Sequence, residues 1–484
     1  MTDDLLTTIG LEVHVELKTN TKMFCGCPVG FGGEPNTRVC QVCLGHPGTL
    51  PTMNEKAVEY TTKIAMALGC DVAPYSIFHR KNYFYPDMPK NYQISQYDHP
   101  IGEHGALEVE VDGKAHRVGI TRAHLEEDTG KSLHMGGRGR IHDADYSLED
   151  FNRAGTPLVE IVSEPDITSP EVARAYATEL RAILEYLGVS DVRMEEGSMR
   201  VDANISVAPP GERGKKVEIK NMNSLRSVFR ALEYEEKRQR EVLRAGGTIT
   251  QSTRHWDEKA GKTQELRTKE EAFDYRYFPE PDLVPIEPSV EWLRQLREEL
   301  PELPVERARR YREELSLSAY DAGVLRSTKA LGDLFEEALA AAKKADAKQV
   351  ANWVTNDLAG LLAARPEGSS TPEVSAKHLA ELVDMVAAGE LSKNQGQQVL
   401  AMMLDSGRSP KKLASEAGIK QVSDESALEE AIDAALAAHP DIAERLKAGD
   451  NKPFGFLMGE IMKATKGQAN PKVVSGLIRK KLQV

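Results

Sequence analysis

Residues 9–17 read IGLEVHVEL, which sets Glu12, His14 and Glu16 on one face of an extended chain and Ile9, Leu11, Val13, Val15 and Leu17 on the other. Four more segments repeat the design. HLEED puts His124, Glu126 and Asp128 together with Arg122, and Glu127 opposite. TPLVEIVSEPD sets Glu160 in an otherwise apolar run, where an isolated carboxylate is costly to bury unless paired or metal-bound. MRVDANISV alternates Arg200, Asp202, Asn204 and Ser206 with Val201, Ala203, Ile205 and Val207, and KVEIKN alternates Glu218 and Lys220 with Val217 and Ile219. One acidic strand face ordinarily only meets water. If five such strands are neighbours, they form a floor of hard oxygen ligands suited to Mg2+ carrying nucleotide phosphates. Arg and Lys among them would neutralise a phosphoryl group in transfer.

A second constellation is Cys25-Gly-Cys27 followed by Cys40-Gln-Val-Cys43. Two close thiolate pairs can close a tetrahedral zinc site with no open position, hence a structural one. Oxidised pairs or uninvolved thiols are the alternatives. Cys70, the fifth cysteine, lies past a helix end and reads as a small buried hydrophobe. Residues 79–102, HRKNYFYPDMPKNYQISQYDHPIG, interleave Arg80, Lys81 and Lys90 with tyrosines and Phe84. That mixture suits a nucleotide or an RNA end, and equally an ordered loop packing its rings on a sheet. DTGKS at 128–132 imitates a phosphate loop, but Leu125 stands where its first glycine belongs. There is no G-x-S-x-G elbow and no persuasive Cys–His pair for nucleophilic catalysis.

Elements that could carry these residues follow from periodicity and caps. Helices are expected from Asn54 to Leu68, from Ser169-Pro170 to Leu187 and from Ser224 to Ala245. The strands between them are joined without regular crossover helices, which favours an α+β fold with a mostly antiparallel or mixed sheet over residues 1–290. The proline-dense FPEPDLVPIEPS (278–289) marks a boundary. An all-α domain is expected over 291–408 and a small helical tail over 409–484.

Net charge is −13 over 484 residues, which argues against a uniformly basic nucleic-acid coat. From Asn451 to Val484, however, seven Lys/Arg face a single Glu. Such a tail can hold a polyanion locally, or be a solvated helix face. No run approaches a membrane span and the N-terminus has no secretory pattern, so a cytoplasmic location is expected.

Taken in order, IGLEVHVEL, RKNYFYPDMPKNYQISQ, HLEEDTGKS, DFNRAGTPLVEIVSEPD, EEGSMRVDANISV, VEIKNMNS and, in the tail, GFLMGEIMKATKGQANPKVV closely resemble the B-subunit family of the tRNA-dependent amidotransferases. The resemblance spans essentially the whole chain. It implies a catalytic cradle similar to glutamine synthetase and the guanidino kinases, then a helical domain and a tRNA-binding tail. It implies ATP-dependent phosphorylation of the side-chain carboxylate of Glu-tRNA(Gln) and/or Asp-tRNA(Asn). Amidation follows, with ammonia from a glutaminase A subunit in a complex completed by a small C subunit. Carried over by position, Glu12, His14, Glu126, Glu127 and Glu160 become the metal and phosphoryl cluster, with Asp202 and Glu218 as further acids. Lys81 and Arg200 become phosphate contacts, Cys25, Cys27, Cys40 and Cys43 a structural Zn2+ site, and Lys463, Lys466, Lys472, Arg479 and Lys480 a tRNA grip. Two other readings use the same residues: a small-molecule carboxylate or guanidino kinase, and a non-catalytic tRNA adaptor with solvated acidic faces.

Overall fold

Three of the helices begin where the sequence supplies a cap. The computed structural model describes residues 4–136, 144–268, 274–364, 374–419, 425–448, 450, 452–465, 469 and 471–482. In it the Asn54 side chain accepts from the backbone N–H groups of Lys56 and Ala57 and opens α1 (Glu55–Ala67). Ser169 opens α2 (Pro170–Leu187) and Ser224 opens α3 (Leu225–Arg244) in the same way. Helix α2 closes on Gly188 at φ 68°, a left-handed backbone that costs glycine no Cβ clash.

Residues Met1–Pro304 form one compact unit. Its strands are β1 (Leu6–Glu16), β2 (Asp71–Val72), β3 (His79–Asn82), β4 (Tyr92–Ser95), β5 (Gly102–Val111), β6 (Lys114–Glu127), β7 (Lys131–Met135), β8 (Tyr146–Asp150), β9 (Pro157–Ser163), β10 (Met199–Ala208), β11 (Val217–Met222), β12 (Ser252–Asp257), β13 (Lys262–Thr268) and β14 (Phe278–Pro279). Nine of them make one sheet, ordered β13-β12-β11-β10-β1-β9-β6-β5-β2. All its pairings are antiparallel except β11–β12. That parallel pair is the one α3 connects, since parallel neighbours need a crossover. The fold is therefore mixed α/β with a large, mostly antiparallel sheet.

The sheet order answers the condition set by the sequence. Strands β11, β10, β1, β9 and β6, the five with acidic faces, are contiguous. Their apolar residues, Ile9, Leu11, Val13 and Val15 of β1 among them, join Tyr176, Leu180 and Ile183 of α2 and Val228 and Leu232 of α3 in one core. The helices thus take the apolar face and leave the charged residues on the other. A small sheet, β14-β3-β4, supplies residues that meet that charged face at β6.

The second unit, Val305–Val484, is helical throughout its described secondary structure. Tyr311, Phe335, Trp353, Leu382 and Leu400 belong to one core, which Leu413 and Ala414 of helix Pro410–Glu416 also enter. Leu428, Ile432, Leu457, Ile461, Val474 and Ile478 form another. Among the described residues, no helix is long and apolar enough to cross a membrane.

Candidate active site

Cross-strand register brings the charged residues together. His14 stands opposite both Arg200 of β10 and Glu160 of β9, and Glu160 stands opposite His124 of β6. These residues share one face because directly paired positions point the same way. Ligand atoms of His14, Glu126 and Glu160 all lie within 4.8 Å of one another. Ser95 Oγ donates to Glu126 Oε2 at 3.0 Å. His124 Nε2 lies 3.7 Å from Glu126 Oε2 and 3.5 Å from Glu160 Oε2.

Strand alternation puts His124 on the same face as Glu126, and its role comes from its contacts. Its Nδ1 accepts from Arg122 Nε at 3.3 Å, which leaves Nε2–H to donate toward the two acids. His124 thus orients the carboxylates. Lys81 of β3 belongs to the same group. Burial works against its charge, but Glu126, Tyr277 and Glu160 outweigh this and raise its pKa above the usual lysine range. Its ammonium also sits 5.0 Å from the Tyr275 ring centroid. Burial likewise opposes a charged His14, and the hydrogen bond and charge of Glu160 overcome it, so its pKa is raised. Burial would raise Glu160, yet the two imidazoles and Lys81 hold it well below the ordinary carboxylate range.

The remaining expected residues fall into three adjoining arrangements. Glu12, opposite Asp202, accepts from Asn204 Nδ2 at 2.8 Å. Asp202 and Glu218 share Lys220, at 2.7 and 3.2 Å, so one cation serves two acids and the trio keeps net negative charge. Arg200 binds Asp128 at 2.9 Å and reaches Glu16 at 3.7 Å, while Arg153 Nε lies 3.7 Å from Asp128. This makes the acids around Arg200 a structured ion-pair network, and Glu16, unassigned in the sequence, is part of it. Burial, with the Asp128 carboxylate adding to it, pushes Glu16 up to about 8. A cavity of about 470 Å3 opens beside the network, lined by Glu16, Arg38, Lys131, Arg153, Asp191 and Ser198 among others.

Glu127 is not brought into the His14–Glu126–Glu160 group. Adjacent strand residues point oppositely, and its Oε1 is bound by the Lys90 ammonium and by the Ile94 N–H at 3.0 Å. Lys90 was legible only as one cation in an aromatic segment, because its partner lies far along the chain. Within that segment Arg80 is spent on Glu280 at 2.7 Å and on the Tyr92 ring at 4.4 Å. Tyr97 stacks on Tyr277 with centroids 4.4 Å apart and interplanar angle 11°. Much of the aromatic run therefore packs on its own sheet, while Phe84 and Tyr97 remain exposed.

The Sγ atoms of Cys25, Cys27, Cys40 and Cys43 lie within 4.8 Å of one another. The Cys40 N–H donates to Cys43 Sγ at 3.1 Å, the backbone donation a thiolate attracts. Four sulfurs at this spacing fit a tetrahedral thiophilic ion. Cys70 stands apart, and burial pushes its thiol up to about 11. In the tail, Lys463, Arg479 and Lys480 are exposed on helices Phe454–Ala464 and Pro471–Leu482. Lys466 and the side chain of Lys472 lie outside the described residues.

Comparison with known proteins follows these features along the chain. Residues 7–294 match the family model described as the GatB/GatE catalytic domain, and residues 333–482 match the GatB domain. The chain is 52% identical over 476 residues to the B subunit of the aspartyl/glutamyl-tRNA(Asn/Gln) amidotransferase of Moorella thermoacetica, covering 98% of this chain and 99% of that one. It is 51% identical to the protein of the same description from Carboxydothermus hydrogenoformans, with 98% of each chain covered. The figure is 50% for that of Persephonella marina, over 98% of this chain and 99% of the relative. With both domain models matched in order and full-length relatives at half identity, the chain belongs to the GatB family.

Proposed function

We propose that this chain is the B subunit of a tRNA-dependent amidotransferase, converting Glu-tRNA(Gln), Asp-tRNA(Asn) or both to Gln-tRNA(Gln) and Asn-tRNA(Asn). It works in the cytoplasm with a glutaminase A subunit, a small C subunit and the tRNA. Residues 1–290 form the catalytic cradle, akin to glutamine synthetase and the guanidino kinases. Residues 291–408 form a helical domain, and 409–484 the module that grips tRNA through Lys463, Lys466, Lys472, Arg479 and Lys480.

The observation that carries this reading is the convergence of His14, Glu126 and Glu160 with Lys81 on the charged face of the five-strand array. Two carboxylates and an imidazole leave coordination positions free, which fits a hexacoordinate cation that keeps water and phosphate oxygens. Mg2+ held there would screen the charge of the phosphoryl group being transferred. In the first step, a side-chain carboxylate oxygen of the aminoacyl-tRNA bonds to the γ-phosphorus of ATP. The bond to the β,γ-bridging oxygen breaks, and ADP leaves. In the second, ammonia bonds to the acyl carbon, phosphate departs with the electron pair, and one proton is lost from nitrogen. No protein nucleophile is required, so the chain's work is positional and electrostatic. The Lys81 ammonium faces the phosphoryl oxygens, and His124 fixes the orientation of Glu126 and Glu160. Arg200, with Arg153, holds Asp128, Arg153 lines the adjoining cavity, and Arg200 is the second phosphate contact. Glu12 and Asp202 extend the acidic floor for a further cation, and Glu127 supports β6 from behind. Cys25, Cys27, Cys40 and Cys43 hold a structural Zn2+.

The test is ATP hydrolysis and amide formation by the reconstituted complex. Turnover should require Glu-tRNA(Gln) or Asp-tRNA(Asn), and Glu126→Gln should abolish it without disrupting assembly. Equal turnover with no mischarged tRNA would overturn the assignment.

A further inference from the structure

Lys22 is fully buried, at 0% exposure. Its Nζ donates to the Phe151 carbonyl at 3.1 Å and lies 3.6 Å from Cys43 Sγ. The acid that lines the same small cavity, Glu127, is already bound by Lys90. An ammonium withdrawn from water needs a counter-charge, and a neutral thiol is a poor one. Thiolates gathered around one divalent ion are different: four of them leave net negative charge on sulfur.

Cys43 is the sulfur that needs such help. It is buried, whereas Cys25, Cys27 and Cys40 are partly exposed and can be hydrated. The protein also fixes Lys22 on this spot. Its N–H donates to the Cys27 carbonyl at 2.9 Å, tying the lysine backbone to the cysteine loop. Gly155, at φ 85°, packs against the pair: a Cβ there would lie 3.4 Å from Lys22 Cδ and 3.7 Å from Cys43 Cβ.

We propose that Lys22 is the positioning residue of the four-cysteine centre, its ammonium compensating the charge on metal-bound Cys43. Through the Phe151 carbonyl it also ties that centre to the segment leading into β9, the strand of Glu160. This rests on the zinc reading above.

The experiment uses the full-length chain, comparing Lys22→Gln with Lys22→Arg. Both replacements can donate hydrogen bonds, and only one is charged. Zinc affinity is read by competition with a chromophoric chelator, and the sulfur environment by the thiolate-to-cobalt absorption of the Co2+-substituted protein. Lys22→Gln should weaken metal binding by about 10–100-fold, and Lys22→Arg should restore wild-type affinity. Equal affinities for the two variants would overturn the proposal. Should Lys22→Gln fail to fold, the cobalt band of Lys22→Arg decides: a displaced band supports the contact, and an unchanged band refutes it. Absence of zinc from the wild-type protein by elemental analysis would instead remove the zinc reading itself.

Discussion

Nε2 of His14 and Oε2 of Glu160 stand 3.5 Å apart across the β1–β9 pair. The same carboxylate oxygen stands 3.5 Å from Nε2 of His124, so one acid on β9 meets imidazoles from the strands on either side, β1 and β6. Glu160→Gln keeps the shape and removes the charge. We expect the half-saturating Mg2+ concentration for tRNA-dependent ATP turnover to rise by about 10–100-fold. A magnesium titration of the reconstituted complex checks this, and an unchanged half-saturation point would exclude Glu160 from the metal site.

Glu126 and Glu127 are neighbours in sequence with different partners, Ser95 Oγ for one and the Lys90 ammonium for the other. Replacing Glu127 by Gln strands the buried Lys90 ammonium, with a destabilisation of about 3–5 kcal/mol in urea unfolding. Glu126→Gln retains an acceptor for Ser95 Oγ, so it should unfold near the wild-type midpoint while losing turnover. A reversed pattern would reassign the two acids.

Metal removal should act locally. Stripping zinc with a chelator is expected to open residues 20–50 to limited proteolysis and to lower the melting temperature, with re-added zinc restoring both. Identical digestion patterns before and after stripping would count against a structural metal.

In the helical unit, Glu336 Oε1 accepts from Tyr311 Oη at 2.9 Å, Arg307 Nε at 3.0 Å and Arg310 Nη2 at 2.6 Å. Burial alone would raise its pKa, but these donors outweigh it and the value is lowered. A depressed carboxylate stabilises the fold above its unfolded value and loses that contribution as pH falls through the folded one. The melting-temperature gap between wild type and Glu336→Gln should therefore be widest near neutrality and close below about pH 4. Calorimetry across that range tests it, and a gap independent of pH would contradict the assignment.

Replacing Lys463, Arg479 and Lys480 together by Gln should raise the KM for tRNA and leave kcat unchanged. Each phosphate no longer neutralised flattens the logarithmic salt dependence by about 0.7–0.9. Binding measured at several salt concentrations reports both effects, and an unaltered slope would place the grip elsewhere.

The alternation in IGLEVHVEL and its counterparts made legible which residues share a face, and Asn54, Ser169 and Ser224 announced their helices. Pairing was not legible. That β10 lies between β11 and β1 is a non-local fact, fixed by packing under α2 and α3 rather than by any local pattern. The same limit hid Lys90 behind Glu127, Lys220 between Asp202 and Glu218, and Lys22 beneath Cys43. An ion pair closed by the fold leaves two unremarkable charges in the sequence. His124 was visible on the correct face, and only the Arg122 contact, which fixes its proton, revealed its task.

The position of β1 also governs how the chain comes to be folded. Leu6–Glu16 precedes every other described strand of its sheet, yet its two neighbours are Pro157–Ser163 and Met199–Ala208. At roughly 5–20 residues per second of synthesis, its edges wait on the order of 10–40 s for partners. Through that interval Ile9, Leu11, Val13 and Val15 lack the strand neighbours they have in the folded sheet, and the polar face of Glu12, His14 and Glu16 disfavours pairing with another chain. Charged side chains on an unpaired strand oppose edge-to-edge association, so the polar face of β1 has a use before the sheet closes as well as after.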